Sequence, residues 1–423
     1  MSRDIEARLA ELENQDLLRR TRMVSGPQGP RVVLDGKPVL LLCSNNYLGL
    51  ADHPRVREAA ADAAMRWGVG AGASRLVSGT MTIHRRLEER LAAFKGTEAA
   101  LLFGSGYLAN IGVITALAGV GRPDGIVLSD ELNHASIIDG CRLARAQTMV
   151  YDHCDLEHLK WLLDEADGRA SMIVTDSVFS MDGDIAPLEG IVELARRYRC
   201  RVVVDEAHAT GCLGPDGRGA VAEAGLEGEV DVVVGTLGKA LGAYGAYAAC
   251  SADIAALLTT SARSFIFSTA PSPPAVAGGL AALELLAEQP RRVEKLQANA
   301  DALRDELARE GFEVAGSTTQ IVPLIVGEAG AAMDICEAAL ERGVFAQAIR
   351  PPTVPEGTSR LRLAVMASHT KTELRDAARA LGRAALQCGF RPSAGVPIAE
   401  AQERGHAPRI TVFDGEADIP RAA

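Results

Sequence analysis

Lys239 sits in Asp231–Gly242, DVVVGTLGKALG, where an apolar run, Val232–Val234, breaks into a loop of small residues. A second apolar run, Val202–Val204, ends in Asp205, followed by Glu206, Ala207 and His208. A loop lysine is ordinarily a solvated charge, and an Asp with a nearby His is ordinarily a helix cap and a surface ring. The neighbours argue otherwise. Gly238, Ala240 and Gly242 leave room for a bulky ring beside the amine. A crowded site lowers a lysine's pKa, as a lysine that forms a Schiff base requires. Asp205 stands at the carboxyl end of a predicted buried strand, where ligands bind in open α/β sheets. An amine that can bond an aldehyde and a carboxylate that can keep a pyridine nitrogen protonated are what a pyridoxal phosphate (PLP) site needs. His208 is in reach of the same ligand and suits its phenolic oxygen.

Further candidates surround this pair. Gly104–Ala109, GSGYLA, follows a predicted strand and fits G-x-G-x-x-A, with Asp130 about twenty residues on. Alone it suggests a dinucleotide. The same geometry cradles any phosphate at a helix N-terminus, and some hundred residues precede this loop, which is late for a first dinucleotide strand. A dinucleotide also leaves Asp205 and Lys239 unexplained. The loop, with Gly106 and Tyr107, is read as the cup for the PLP phosphate, with Thr236 and Ser268 or Thr269 as further donors. His134, in DELNHAS, is placed to stack on the pyridine, and Ser177, in TDSVFSMDGD, to bond near the ring or its phenolic oxygen. Arg362, in SRLRLAV, suits a clamp for an amino-acid carboxylate, with Arg360 and Arg350 as rivals by type alone. His84, His134, His208 and His369 lack metal-ligand spacing, so no metal is predicted.

These residues need a scaffold. From about His53 the chain alternates helix, short apolar strand and Gly-rich loop. Seven strands are predicted: Ala99–Phe103, Gly125–Ser129, Gln147–Tyr151, Met172–Asp176, Arg201–Asp205, Val230–Gly235 and Tyr247–Cys250. Most are apolar on both faces, which predicts an α/β fold with a mainly parallel sheet covered on each side. Ahead of it come an amphipathic helix, Asp4–Leu18, a GPQGP linker, and strands within Val32–Leu42 around an Asp35–Gly36 turn. A long helix around Pro274–Glu310 leads to a second unit with strands Ile321–Val326 and Arg360–Val365 and helices Ala331–Arg342 and Lys371–Cys388. The expected divisions are 1–50, an N-terminal helix and strand segment; 51–290, the cofactor-binding domain; 291–388, a smaller α/β domain; and 389–423, a polar, Pro-containing peripheral tail.

The chain has 423 residues and a net charge of −11, which argues against a nucleic-acid partner. Its eight cysteines are scattered without a C-x-x-C pair, as in a reduced, cytoplasmic protein. The charged N-terminus lacks a signal-peptide core, and no run approaches the roughly 18 apolar residues of a membrane span.

Taken together, SNNYLGL (Ser44–Leu50), GAGASRLVSG (Gly70–Gly79), HRRLE (His84–Glu88), FSMDGDIAP (Phe179–Pro187), DEAHATG (Asp205–Gly211) and TLGK (Thr236–Lys239) resemble the α-oxoamine synthases, PLP enzymes of fold type I. The resemblance covers about residues 1–388. It implies a large domain with a mainly parallel seven-stranded sheet, a smaller C-terminal α/β domain, and decarboxylative condensation of an amino acid with an acyl thioester. Ala348–Leu363 and DEAHATG look most like the branch that joins L-alanine to a pimeloyl group on CoA or acyl carrier protein. Glycine with acetyl-CoA, or serine with a long acyl chain, are the alternatives on the same scaffold. The resemblance further implies that Lys239 removes the Cα proton, Asp205 stabilises the resulting charge, and Arg362 with Asn45 holds the carboxylate. His208 then donates to the oxyanion. Arg19, with Arg20 and Arg22, loosely matches the segment that meets the acyl chain. A two-fold homodimer is also implied, in which the loop carrying Ser268 and Thr269 reaches the partner's cofactor phosphate.

Overall fold

The computed structural model describes residues 2–391 apart from 16 and 315; most of the predicted tail lies outside the described residues. The central sheet runs in the order Ala99–Phe103, Ala246–Cys250, Val232–Thr236, Arg201–Asp205, Ala170–Asp176, Ile126–Asp130, Gln147–Tyr151. Only Ala246–Cys250 runs antiparallel to its neighbours. The strands read as apolar on both faces because both are covered. Val232, Val234 and Val203 face one hydrophobic cluster, while Val233, Val202 and Val204 face another. Removing both faces from water stabilises the sheet by about 1.5–3 kcal/mol per buried valine side chain.

Parallel strands bring their carboxyl ends to one edge of the sheet. Asp205 pairs in register with Asp176 on one side and with Val234 on the other. Phe103, Asp130, Asp176, Asp205 and Thr236 all end strands there. The loop after Val232–Thr236 doubles back tightly: Gly242 has φ +60°, and a Cβ there would lie 2.3 Å from the Ala51 nitrogen. Only glycine fits that approach.

Two expectations need correction. The long helix is two, Pro273–Glu288 and Arg291–Arg309. Pro290 lies between them, and a proline cannot continue the amide ladder. The N-terminal helix is Ser2–Asn14 rather than reaching Leu18, and its Ile5 and Leu9 stay exposed because this chain offers them no core. The antiparallel strands Arg31–Leu34 and Lys37–Leu41 turn at Asp35 and Gly36, both at positive φ. They extend into a sheet through Val344–Phe345, which pairs in parallel with Leu40 and Leu41. The hairpin thus shares the hydrophobic core of the C-terminal unit. That unit also holds an antiparallel sheet ordered Ile321–Gly327, Ser359–Ala364, Gln347–Ile349.

Candidate active site

Lys239 Nζ lies 2.7 Å from His208 Nε2. Burial pushes the lysine down to about 8, against the opposing pull of Asp205. His208 is held well below the usual histidine range, first by burial and then by the positive charges of Lys239 and Arg362. Its other nitrogen, Nδ1, is 2.7 Å from the Tyr47 hydroxyl.

Asp205, 5 % exposed, accepts from Asn110 Nδ2 at 2.6 Å through one oxygen and from the Ala207 amide at 2.7 Å through the other. Asn110 also donates to Ser136 Oγ at 2.8 Å, and Ser136 Oγ lies 2.7 Å from His134 Nδ1. His134 caps the helix Ala135–Ala144, its Nδ1 accepting from the Ser136 amide. Asp176 Oδ2 accepts from the His134 amide at 2.7 Å. Burial, then the neighbouring Asp205, pushes the Asp176 carboxyl well up. Ser177 donates its hydroxyl to the Asp205 carbonyl at 2.8 Å.

The loop predicted to cup a phosphate stands on the next strand but two. Phe103 ends its strand, and Gly106 opens the helix Gly106–Leu117, capped by Ser105 Oγ on the Leu108 amide. Tyr107 turns outward, 42 % exposed, with its hydroxyl bonded to Asp139. Thr236 Oγ1 accepts from the Gly238 amide at 3.1 Å and donates to the Gly245 carbonyl at 3.0 Å. Thr269 bridges to Ser74, with Ser268 beside it.

Arg362 reaches the site from the C-terminal unit. It donates to Asn45 Oδ1 at 3.2 Å, to the Tyr47 hydroxyl at 3.3 Å and to the Ser180 carbonyl. Its rivals face elsewhere: Arg360 pairs with Asp182, and Arg350 donates to the Leu18 carbonyl. Arg19 is exposed and bonds Thr353 Oγ1 at 3.2 Å, so the N-terminal segment lies against the 350–353 turn.

Other motif residues act as struts. Arg75 forks onto Glu88 at 2.8 and 3.0 Å, and Glu88 accepts from the Leu102 amide. Lys95 pairs with buried Glu206 directly beneath the DEAHATG turn. Asp130, the acid a dinucleotide would need, is taken by the Leu132 and Cys154 amides and by His153. His153 bridges Asp130 at 2.9 Å and Asp184 at 2.6 Å, and these carboxylates push it up against the cost of burial. Asp130, His153 and Cys154 lie close enough to share an ion, yet both ring nitrogens already face carboxylates. The cluster reads as a charge clamp on the loop after Phe179.

Residues 37–381 match the model of the aminotransferase class I and II family. The chain belongs to this family. It is 52 % identical over 393 residues to an 8-amino-7-oxononanoate synthase of Geobacter sulfurreducens, covering 92 % of this chain and 100 % of that one. Another such synthase, from Citrifermentans bemidjiense, is 54 % identical over 88 % of this chain and 95 % of its own length. Among solved structures, a serine palmitoyltransferase variant of S. paucimobilis with bound PLP and myriocin superposes with TM-score 0.86 at 31 % identity, over 91 % of this chain and 98 % of its own. An 8-amino-7-oxononanoate synthase from Francisella tularensis gives 0.71 at 25 %, over 82 % and 98 %. The chain is therefore a fold type I, PLP-dependent acyltransferase of the family's α-oxoamine synthase branch.

The residues present fit PLP. An amine with depressed pKa, a buried carboxylate and a Gly-opened helix terminus share one sheet edge. A Cβ on Gly106 would meet nothing within 4 Å, so the cup is open above the helix. Spacing singled out Lys239, Asp205 and His208, and the structure brings these three side chains together. Spacing did not identify Tyr47, Asn110 or Asp176. Asn110 carries a faint signal, as a polar residue among apolar ones in GYLANIGVITAL.

Proposed function

We propose that this protein condenses L-alanine with a pimeloyl thioester, on CoA or acyl carrier protein, with loss of carbon dioxide. This is the 8-amino-7-oxononanoate synthase step of biotin biosynthesis. The observation that carries the reading is the convergence of Arg362, Asn45 and Tyr47 from outside the sheet on His208 and Lys239. It joins a carboxylate clamp to a proton-moving pair. The sequence likeness, about half of all residues with the Geobacter and Citrifermentans synthases against about a third with the serine palmitoyltransferase, supports alanine over serine.

Lys239, Asp205, His134, Ser177, Thr236 and the Gly106–Tyr107 cup would hold the cofactor. PLP supplies an electron sink for the pair left at the amino acid's Cα when a bond there breaks. Arg362 and Asn45 orient the amino-acid carboxylate. Lys239, at about 8, is poised near neutrality to take the Cα proton and later return one. Asp205 keeps a proton at the ring nitrogen. His208, neutral by burial, offers an N–H to the oxygen that becomes negative when the thioester is attacked. The docking of Arg19 against the 350–353 turn supports placing the acyl chain along that seam.

The reading includes a homodimer and a cytoplasmic location. Leu76, Val77 and Phe267 are large apolar side chains exposed by 52, 80 and 70 %. They lie on the two segments joined by the Ser74–Thr269 bridge, and a second subunit would cover them while meeting Ser268 and Thr269. Among the described residues no helix is long and apolar enough to cross a membrane.

The test is a matrix of L-alanine, glycine and L-serine against pimeloyl-CoA, acetyl-CoA and a long-chain acyl-CoA, scored by carbon dioxide and thiol release. Alanine with pimeloyl-CoA should dominate. Preference for another pair reassigns the substrates. Mixing Lys239→Ala subunits with Ser268→Ala/Thr269→Ala subunits tests the shared site. Partial recovery is expected, and none despite subunit exchange means the loop serves its own subunit.

A further inference from the structure

Tyr47 is part of this convergence on His208 and Lys239 but has been given no step of its own. It is fully buried, and its one hydroxyl lies 2.7 Å from His208 Nδ1, 2.9 Å from Asn45 Oδ1 and 3.3 Å from Arg362 NH2. Burial raises its pKa to about 12, so the hydroxyl keeps its proton. It therefore has one hydrogen to give and two lone pairs to share. Arg362, always a donor, takes one lone pair. The proton then goes either to Asn45 or to His208. If it goes to Asn45, His208 must carry hydrogen on Nδ1 and present a bare Nε2 to Lys239. If it goes to His208, the histidine carries its hydrogen on Nε2.

We infer that Tyr47 is a positioning residue that holds the His208 ring and sets its donor tautomer when the carboxylate clamp fills. The inference rests on the reading of His208 as the donor to the thioester oxygen. A carboxylate on Arg362 draws off the guanidinium's donors and places negative charge beside Asn45 Oδ1. The Asn45 carbonyl is then a poor neighbour, and its amide end a good one. The Tyr47 hydroxyl turns from Asn45 to Nδ1, leaving the hydrogen of His208 on Nε2, the nitrogen that faces Lys239. The ring nitrogen that acts is fixed by what the other one bonds. Filling of the amino-acid site thereby readies the group used at the later acyl step.

The test separates two reactions of one holoenzyme. Exchange of alanine's Cα hydrogen in heavy water needs Lys239. Condensation with pimeloyl-CoA needs His208 as well. In Tyr47→Phe, condensation should fall on the order of tenfold to a hundredfold, and about tenfold further than exchange does, since exchange has no use for the His208 donor. Incorporating 3-fluorotyrosine at position 47, which keeps the hydroxyl and the shape, should restore condensation and covers the case that the phenylalanine variant fails to fold. A crystal structure of the Tyr47→Phe holoenzyme should show the His208 ring turned or split between positions. Equal loss of exchange and condensation, loss of neither, or a His208 ring identical to wild type overturns the inference. If wild type exchanges alanine but does not use pimeloyl-CoA, the acyl donor is reassigned, and the ring position still decides the role of Tyr47.

Discussion

Asn110 Nδ2 and Asp205 Oδ2 lie 2.6 Å apart, a contact between a helix and a strand end separated by 95 residues. Because Asn110 also holds Ser136, which meets His134, the Asp205 carboxylate and the His134 ring are tied through one amide and one hydroxyl. Asp205→Asn should lower turnover on the order of a hundredfold or more while the protein still takes up PLP, since a preorganised charge is lost and the site's shape is kept. Asn110→Ala removes a hydrogen bond to a charged group, worth about 1.5–3 kcal/mol, and should cost roughly tenfold or more in turnover. Steady-state assays on cofactor-saturated protein check both. Asn110→Ala at wild-type rate would remove Asn110 from the site.

Lys239→Ala should abolish turnover and the visible absorbance of bound cofactor, with thermal unfolding little changed, because Lys239 is half-buried on a loop and its amine bonds His208 rather than a group of the sheet. The depressed pKa makes a second check. Uptake of PLP by cofactor-stripped protein requires a neutral amine. Its rate should therefore rise with pH through about 8 rather than through a lysine's ordinary 10.5. A midpoint near 10.5 would show that burial does not act on this amine.

These groups differ in how far the sequence reveals them. Lys239 and Asp205 are legible because a strand end and a small-residue loop are local features. The seven strands are legible because burial on both faces writes long apolar runs. Tyr47 meets His208 across 161 residues, and nothing beside Tyr47 in SNNYLGL announces that partner. The hairpin's place in the C-terminal core is hidden for the same reason, since Val344–Phe345 pairs with a strand some three hundred residues earlier. The break at Pro290 was readable from proline chemistry, but the apolar pattern on either side obscures it.

Arg362→Leu should raise the alanine KM roughly a hundredfold, from the loss of about 3 kcal/mol of charge-assisted bonding, and leave the acyl-donor KM nearly unchanged. Arg350→Leu should leave the alanine KM alone, because that guanidinium meets the Leu18 carbonyl in the other direction. If it disturbs anything, it should be the acyl-donor KM, through the seam where Arg19 meets Thr353. Reversed effects in the two variants would move the clamp to Arg350.

His369 gives the fold a dependence on acidity that is independent of the active site. It is fully buried, with Nδ1 accepting from the Met366 amide at 3.0 Å and Nε2 donating to the Leu41 carbonyl at 3.1 Å. Both bonds suit one neutral tautomer, and burial lowers the pKa to about 4. In the unfolded chain the same ring titrates near 6.5. Above 6.5 it is neutral in both states and pH has no effect through it. Between 6.5 and 4 only the unfolded chain takes the proton, so stability falls as pH falls, by about 3 kcal/mol over that window. Below about 4 both states are charged and the effect levels off. In His369→Gln, whose amide can accept and donate but not titrate, this loss should be absent. The variant should be less stable than wild type at pH 8 through imperfect packing. Urea midpoints at pH 8, 6 and 4.5 should show that gap narrowing as acid is added. A gap that stays constant across the three would show that His369 does not titrate on unfolding.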